Sequence, residues 1–394
     1  MEPNPESRRG LPRPDADSAA HSVSVAAHVG RRIEEAGGSI SFAEYMHEVL
    51  YAPGLGYYAA GASKLGAAGD FVTAPEISPI FGYVLARQVA AVLAQLDGGD
   101  VLEAGAGSGA LAVSMLNKLA ELDALPDRYL ILEVSADLKQ RQEKRLLAEV
   151  PQLMERVSWI SQLPDQFAGV VVANEVADAI PVERFLIDNG NVMQARVGIA
   201  PDGFYWTYAP APVFLESAVR DIESDIGHAL ANGYESEVSP GLAGWIKGLT
   251  SAIDRGLLLL IDYGVTRNEY YAPDRHGGWL RCHFRHRAHS NPLVLPGIQD
   301  LTAWVDFSLV AAAARGMDIA GFVTQAHFLL NGGLEDELQN FADLSIERQI
   351  ELSAQVKRLT LPAEMGENFK CIGFSRGEIS TPAALLMADR THFL

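Results

Sequence analysis

From residue 100 onward, short apolar runs alternate with stretches of helical period. "DVLEAG", "RYLILEVS", "RVSWIS", "GVVVANE" and "GLLLLIDYG" read as five strands, with "MDIAGFVT" and "FKCIGFSR" as two more near the end. Such near-continuous apolar runs suit strands buried on both faces. Strands alternating with helices predict an α/β fold built on a parallel sheet with crossovers. Before residue 100 the period is helical. In "ISFAEYMHEVL", Ser41 and Glu44 form a capping box, Ile40 and Tyr45 have the spacing of a hydrophobic staple, and Pro53 follows as a stop. Ser78 as N-cap and Pro79 at the first helical position open another helix, in which Phe81, Val84, Leu85, Val89, Val92, Leu93 and Leu96 recur on one face. "GDFVTAPEIS" is therefore expected as a loop pinned to a helix start.

One segment departs from this pattern. "RFLIDNGNVMQARVGIAPDGFYWTYA" alternates and carries Asn189-Gly190 and Asp202-Gly203, which predicts a small antiparallel meander followed by a helical stretch over roughly 213–254. "APGLGYYAAGASKLGAAGD" reads as a mobile arm, and the polar, proline-rich start as disordered. These shifts divide the chain into a disordered arm (1–23), a helical extension with a lid loop (24–97) and an α/β core (98–394). The core carries insertions at about 185–254 and 265–316.

Composition narrows the partners. The chain has 394 residues, 48% of them hydrophobic, and a formal charge of -19. That charge argues against nucleic acid, whose binding needs a basic surface, and suits a basic peptide. No apolar run reaches the roughly 18 residues of a membrane span before Arg87 or Arg315 breaks it, so a soluble protein without membrane insertion is expected. Two cysteines and no secretory start make the reducing cytoplasm the expected location. In "LRCHFRHRAHSNP" the spacing matches no closed zinc site and the interleaved arginines would repel a cation. No metal is expected there, but a loop over the active site or against a partner.

"VLEAGAGSGALAVSMLNKL" carries the sharpest chemical signal. A strand ending at Glu103 leads through Gly105, Gly107 and Gly109 into a helix, whose first N–H groups are free for an anionic group. A dinucleotide pyrophosphate fits there, and so does the carboxylate of S-adenosylmethionine (SAM), with Glu103 facing its cationic end. Glu133, closing the next strand, suits a ribose diol in either case. Asn174, Glu175 and Asp178 follow the fourth strand, where open parallel sheets bind ligands. Their carboxylates favour a cationic nucleophile beside a methyl donor, since hydride transfer wants a His, Lys or Tyr proton donor.

Together with "GYYAAG", "GDFVTAPEISPIFG", "EVS", "NEVADAIP", "IDYG", "PGIQDLTAWVDF" and "MGENFK", these motifs resemble the MidA family, from about residue 40 to the C-terminus. Its mitochondrial members are complex I assembly factors that act as protein arginine methyltransferases. The resemblance implies a class I SAM-dependent methyltransferase, with a Rossmann-like, seven-stranded, mostly parallel sheet, an N-terminal extension and a helical and β-meander insertion. It implies SAM as cofactor and a protein substrate, a complex I subunit being the family's own, and leaves open a homodimer. Carried over by residue, Glu103, Gly105, Gly107 and Gly109 hold the methionine and Glu133 the ribose. Gln162 lies near adenine, Asn174 beside the donor, and Thr73 and Glu76 come from the lid. Glu175, with Glu76 or Asp178, is placed to orient a guanidinium and take up its proton. An NAD(P)-dependent oxidoreductase on the same fingerprint and a non-catalytic SAM-binding assembly factor are the alternatives.

Overall fold

Why ligand-binding residues from distant parts of the chain meet follows from the order of the strands. A computed structural model describes residues 10–59 and 72–394. The central sheet contains β1 (Asp100–Ala104), β2 (Tyr129–Leu132), β3 (Val157–Ile160), β4 (Phe167–Asn174), β5 (Ile253–Val265), β6 (Asp318–Thr324) and β7 (Phe369–Arg376). Their spatial order is β6-β7-β5-β4-β1-β2-β3. β7 runs antiparallel to both its neighbours and the remaining pairs are parallel. These seven strands form the expected mostly parallel α/β sheet, and the two-residue strand Val305–Asp306, parallel to the end of β5, adds an eighth that the sequence did not signal. Strand order reverses between β1 and β4, which opens a crevice at their C-terminal ends.

Burial explains the apolar runs. Leu257 to Ile261 in β5 are all 0% exposed. Alternate side chains enter different cores, as the two-residue strand period requires. Val170 and Val172 pack with α4 (Pro79–Leu96) and α5 (Ala110–Glu121), while Val171 and Ala173 pack with Leu242, Ile246 and Leu249 of α8 (Pro240–Ala252). By length and composition α4 would suffice to cross a membrane, against the expectation that no segment does. Its Phe81, Val84, Leu85, Val89 and Val92 are instead fully buried on the sheet, and Arg87 pairs with Glu337 at 2.5 Å.

Ser41 and Glu44 form the anticipated capping box at the start of α2 (Phe42–Tyr51), and Ser78 Oγ accepts from Ile80 N–H at the start of α4. The meander comprises Glu183–Asp188, Asn191–Ala200 and Gly203–Pro210. Asn189 (φ 49°) and Gly190 (φ 81°) give its first turn the left-handed pair that such a hairpin requires.

Four expectations need correction. α1 (Ala16–Glu35) begins inside the arm expected to be disordered to residue 23. Asp15 caps it by accepting from Ser18 N–H, and Val25, Val29 and Ile33 form a buried stripe at intervals of four. The helical stretch after the meander is broken between α7 (Val213–Ile226) and α8 by the strand Glu235–Val238, which pairs with Glu183–Asp188. The histidine-rich segment is a hairpin, Leu280–Phe284 with Arg287–His289, and Cys282 points into a core. "GDFVTAPEIS" contains a helical turn, α3 (Ala74–Ile77), rather than loop alone. Residues 1–9 of the arm and 60–71, which include most of the glycine- and alanine-rich stretch and Asp70, lie outside the described residues.

Candidate active site

The crevice between β1 and β4 opens into a cavity of about 740 Å³. Beyond β1 the backbone enters the left-handed region at Gly105 (φ 71°) and Gly107 (φ 53°). A Cβ at Gly105 would lie 2.9 Å from Val176 Cγ2, so only glycine lets this loop pack on the segment after β4. Gly109 serves as N-cap of α5 without a side-chain cap, leaving the first N–H groups of that helix open toward the loop.

Glu103, at the end of β1, is 2% exposed, and its Oε2 accepts from the Tyr129 hydroxyl at 2.6 Å. Glu133 stands one strand further on. Its Oε1 accepts from Ser135 N–H at 2.8 Å and its Oε2 from Gln142 Nε2 at 3.0 Å. Gln142, in α6 (Ala136–Glu149), also donates to Gly107 O at 3.0 Å and accepts from Trp159 Nε1 at 2.9 Å. One buried amide therefore fixes the glycine loop relative to Glu133.

From the other side come the residues after β4. Glu175, a residue lining the cavity, has φ 53°, a left-handed conformation costly for a residue with a side chain. Its Oε1 accepts from Ala74 N–H at 3.0 Å and from Asn174 Nδ2 at 3.2 Å. Its Oε2 and Asn174 Oδ1 are buried without a hydrogen-bond partner among the described residues. Asp178 is 3% exposed and accepts from the Tyr263 hydroxyl. Beneath it, Asp262 Oδ2 accepts from Ala177 N–H at 2.9 Å and Asp178 N–H at 3.2 Å, holding this turn in place.

Thr73, Pro75 and Glu76 line the cavity from α3 and its approach. Glu76 Oε1 accepts from Arg145 Nη1 at 2.7 Å and from Ser108 Oγ, so its carboxylate ties α3 to α6 and the glycine loop. Gly109 is not on the cavity lining; a Cβ there would only touch Gln142 at 3.5 Å, and it is the φ of 83° that calls for glycine. Gln162 is exposed and outside the cavity, because the chain turns away after β3. His47, Tyr51 and Trp245, which the sequence motifs did not single out, complete the walls together with Tyr58 of "GYYAAG".

Five carboxyls, Glu103, Glu133, Glu175, Asp178 and Asp262, crowd this end of the sheet, all raised first by burial. Burial pushes Glu103 up to about 7, against the Tyr129 hydrogen bond and with Glu133's charge adding to it. Burial pushes Glu175 up to about 8, against the Ala74 N–H and with Asp178 adding. Asp178 and Asp262 are both raised, again by burial first. The folded protein thus holds protons that the unfolded chain has released between the ordinary carboxylate range and about pH 8. Stability must then fall as pH rises through that window. The ligand-free protein is expected to melt about 5 °C or more lower at pH 8.5 than at pH 5.5, at constant ionic strength. Scanning calorimetry showing a rise over that range would contradict these directions.

Residues 84–323 match the model of a family of S-adenosyl-L-methionine-dependent methyltransferases, Methyltransf_28. A Drosophila melanogaster protein named protein arginine methyltransferase NDUFAF7 homolog, mitochondrial, is 30% identical, over 93% of this chain and 89% of its own length. Human protein arginine methyltransferase NDUFAF7, mitochondrial, is 30% identical, over 84% of this chain and 79% of its own. A crystal structure from Burkholderia thailandensis with S-adenosyl-homocysteine bound is 39% identical, covers 98% of this chain and 100% of that one, and has a TM-score of 0.91. The cofactor is accordingly SAM, and the dinucleotide alternative falls. The expected cytoplasmic location is overturned too, because these curated relatives are mitochondrial proteins. With model, relatives and solved structure in agreement over most of its length, the chain belongs to the MidA family of SAM-dependent methyltransferases.

Proposed function

We propose that this methyltransferase modifies an arginine side chain of a protein, with a respiratory complex I subunit as the acceptor. The observation that carries the acceptor chemistry is Glu175 Oε2, a buried carboxyl oxygen of a cavity-lining residue with no hydrogen-bond partner among the described residues. A guanidinium pairs with such a carboxylate by short, charge-assisted hydrogen bonds. The names of the curated relatives and the net charge of -19 support the same reading.

The residues present fit SAM. Gly105, Gly107 and the open start of α5 would receive its carboxylate, and Glu103 its ammonium group. Glu133 would accept from the ribose hydroxyls, since each of its oxygens keeps a lone pair beyond its present bond. Val134, an apolar side chain left 83% exposed on the cavity wall, takes the adenine side in place of Gln162. Thr73 would close the cavity from the lid side and Asn174 would stand beside the donor. Gly109 acts indirectly, as the left-handed N-cap from which α5 starts.

When bound, SAM supplies a methyl group already activated by its sulfonium leaving group. Glu175 holds and orients the guanidinium, and its carboxylate accepts the proton that nitrogen loses on methylation. A carboxyl raised to about 8 is a better base than an ordinary one. Asp178 orients the turn through Tyr263, and the lid walls exclude water. Glu76, engaged by Arg145 and Ser108, clamps the lid and does not take part in proton transfer. The test is incubation of the purified protein with methyl-labelled SAM and respiratory membranes, followed by mass spectrometry. Methylarginine in a complex I subunit is the expected product. Label confined to lysine or small molecules, or SAM bound without transfer, would sink the reading.

A further inference from the structure

A second cavity of about 460 Å³ adjoins the first, with His47, Ile180 and Pro181 lining both. Through them it continues, along the chain, from the turn carrying Glu175 and Asp178 to Glu183. One wall is α2, contributing Glu44 and Glu48. The other comes from the starts of α7 and α8, with Phe214 and Pro240. Three carboxylates, Glu44, Glu48 and Glu183, face one guanidinium, Arg32, on this lining.

That guanidinium is already engaged. Arg32 pairs with Glu48 at 3.1 Å and Glu35 at 3.2 Å, and His28 Nε2 lies 2.7 Å from Glu48. Glu44 accepts from Ser41 N–H at 2.7 Å and Glu183 from Gln194 Nε2 at 3.0 Å, both neutral donors. Arg196, which donates to Gln194 Oε1 at 2.9 Å, is a second cation acting on Glu183. Three lining carboxylates against these two guanidiniums leave the groove an excess of negative charge beside the methyl-transfer site. Phe214, 52% exposed, adds an apolar surface on the wall facing α2.

We infer that this groove binds the substrate polypeptide next to its acceptor arginine, and that it selects a segment with lysine or arginine on the flanks. The inference rests on the arginine reading above. With the acceptor guanidinium at Glu175, the neighbouring residues leave past His47, Ile180 and Pro181. Flanking cations then meet Glu44 and Glu183, while their aliphatic stems lie along Phe214 and Pro240. Opposite charge across such a contact gives selection among substrates more than raw affinity.

The experiment measures fluorescence anisotropy of labelled nonapeptides, with the protein saturated in S-adenosylhomocysteine. One peptide has a central arginine flanked by lysines, another the same arginine flanked by glutamates. The lysine peptide is expected to bind and the glutamate peptide to bind at least about tenfold more weakly. The double variant Glu44→Gln/Glu183→Gln, which retains a capping-box residue at position 44, should weaken the lysine peptide about tenfold and leave S-adenosylhomocysteine affinity unchanged. Phe214→Ala, a change at an exposed side chain, should weaken it about threefold and checks the groove independently of the two carboxylates. Equal binding of both peptides, binding of neither, or an unchanged Kd in these variants overturns the groove. Methyl transfer is read on the same peptides. Charge-selective binding without transfer to arginine would leave the groove standing and remove the arginine reading.

Discussion

Glu175→Gln is expected to lower kcat for methyl transfer to the lysine-flanked arginine peptide about 100-fold or more, with SAM affinity changed by less than about threefold. The substitution is nearly isosteric and keeps the backbone at φ 53°. The amide oxygen can still accept from Ala74 N–H, as Glu175 Oε1 does at 3.0 Å. What changes is the other position, where Oε2, unpartnered among the described residues, is replaced by an NH₂ group that donates. A guanidinium has only donors and finds no acceptor there. The proton released on methylation also loses its acceptor. In the wild type the carboxyl is raised to about 8, so kcat/KM should rise with pH to a plateau above that value. The variant should lose this limb and gain stability relative to wild type above pH 8, because it no longer buries a charge there. Retention of a tenth of the activity would remove Glu175 from the chemistry.

What could be read from the sequence was what local signals encode. Seven strands of the sheet stood out because each is a short apolar run, and the caps at Ser41 and Ser78 because their partners lie two or three residues away. Glu103 and Glu175 were identifiable as strand-end acids, but their environments were not. The Tyr129 hydroxyl that binds Glu103 lies 26 residues along the chain, and the Ala74 N–H that holds Glu175 lies 101 residues back. Glu76 read as catalytic because its motif gives position without orientation. Its carboxylate is taken by Arg145, 69 residues on, across a contact that only tertiary packing creates. Gln142 was missed for the same reason: an amide in a polar helix carries no signal that it joins the glycine loop to Glu133. α1 was missed because proline and charge at its start outweighed the spacing of Val25, Val29 and Ile33. The strand Glu235–Val238 carries two glutamates in four residues, and becomes a strand through pairing with Glu183–Asp188.

Glu103→Gln should weaken SAM binding about 100-fold or more while leaving the ligand-free fold intact. Glutamine keeps an acceptor for the Tyr129 hydroxyl, so the change removes the charge alone. In the free protein that charge is a burden, since burial has pushed the carboxyl up to about 7. Above pH 7 the variant should therefore melt no lower than wild type, and higher if nothing else relaxes. Binding reverses the balance. An ammonium group brought against Glu103 favours the ionised carboxyl and offsets the cost of burying it, which a neutral amide cannot do. SAM affinity of the wild type should consequently rise between pH 6 and 8 as the carboxyl ionises, and the variant should lose most of that dependence. Ligand-induced thermal stabilisation should shrink with it, because stabilisation follows the ratio of ligand concentration to Kd. Titration calorimetry at pH 6, 7 and 8 separates the effects. A variant that binds within threefold of wild type at pH 8 would move the ammonium-binding role away from β1 and leave Glu103 as a structural partner of Tyr129.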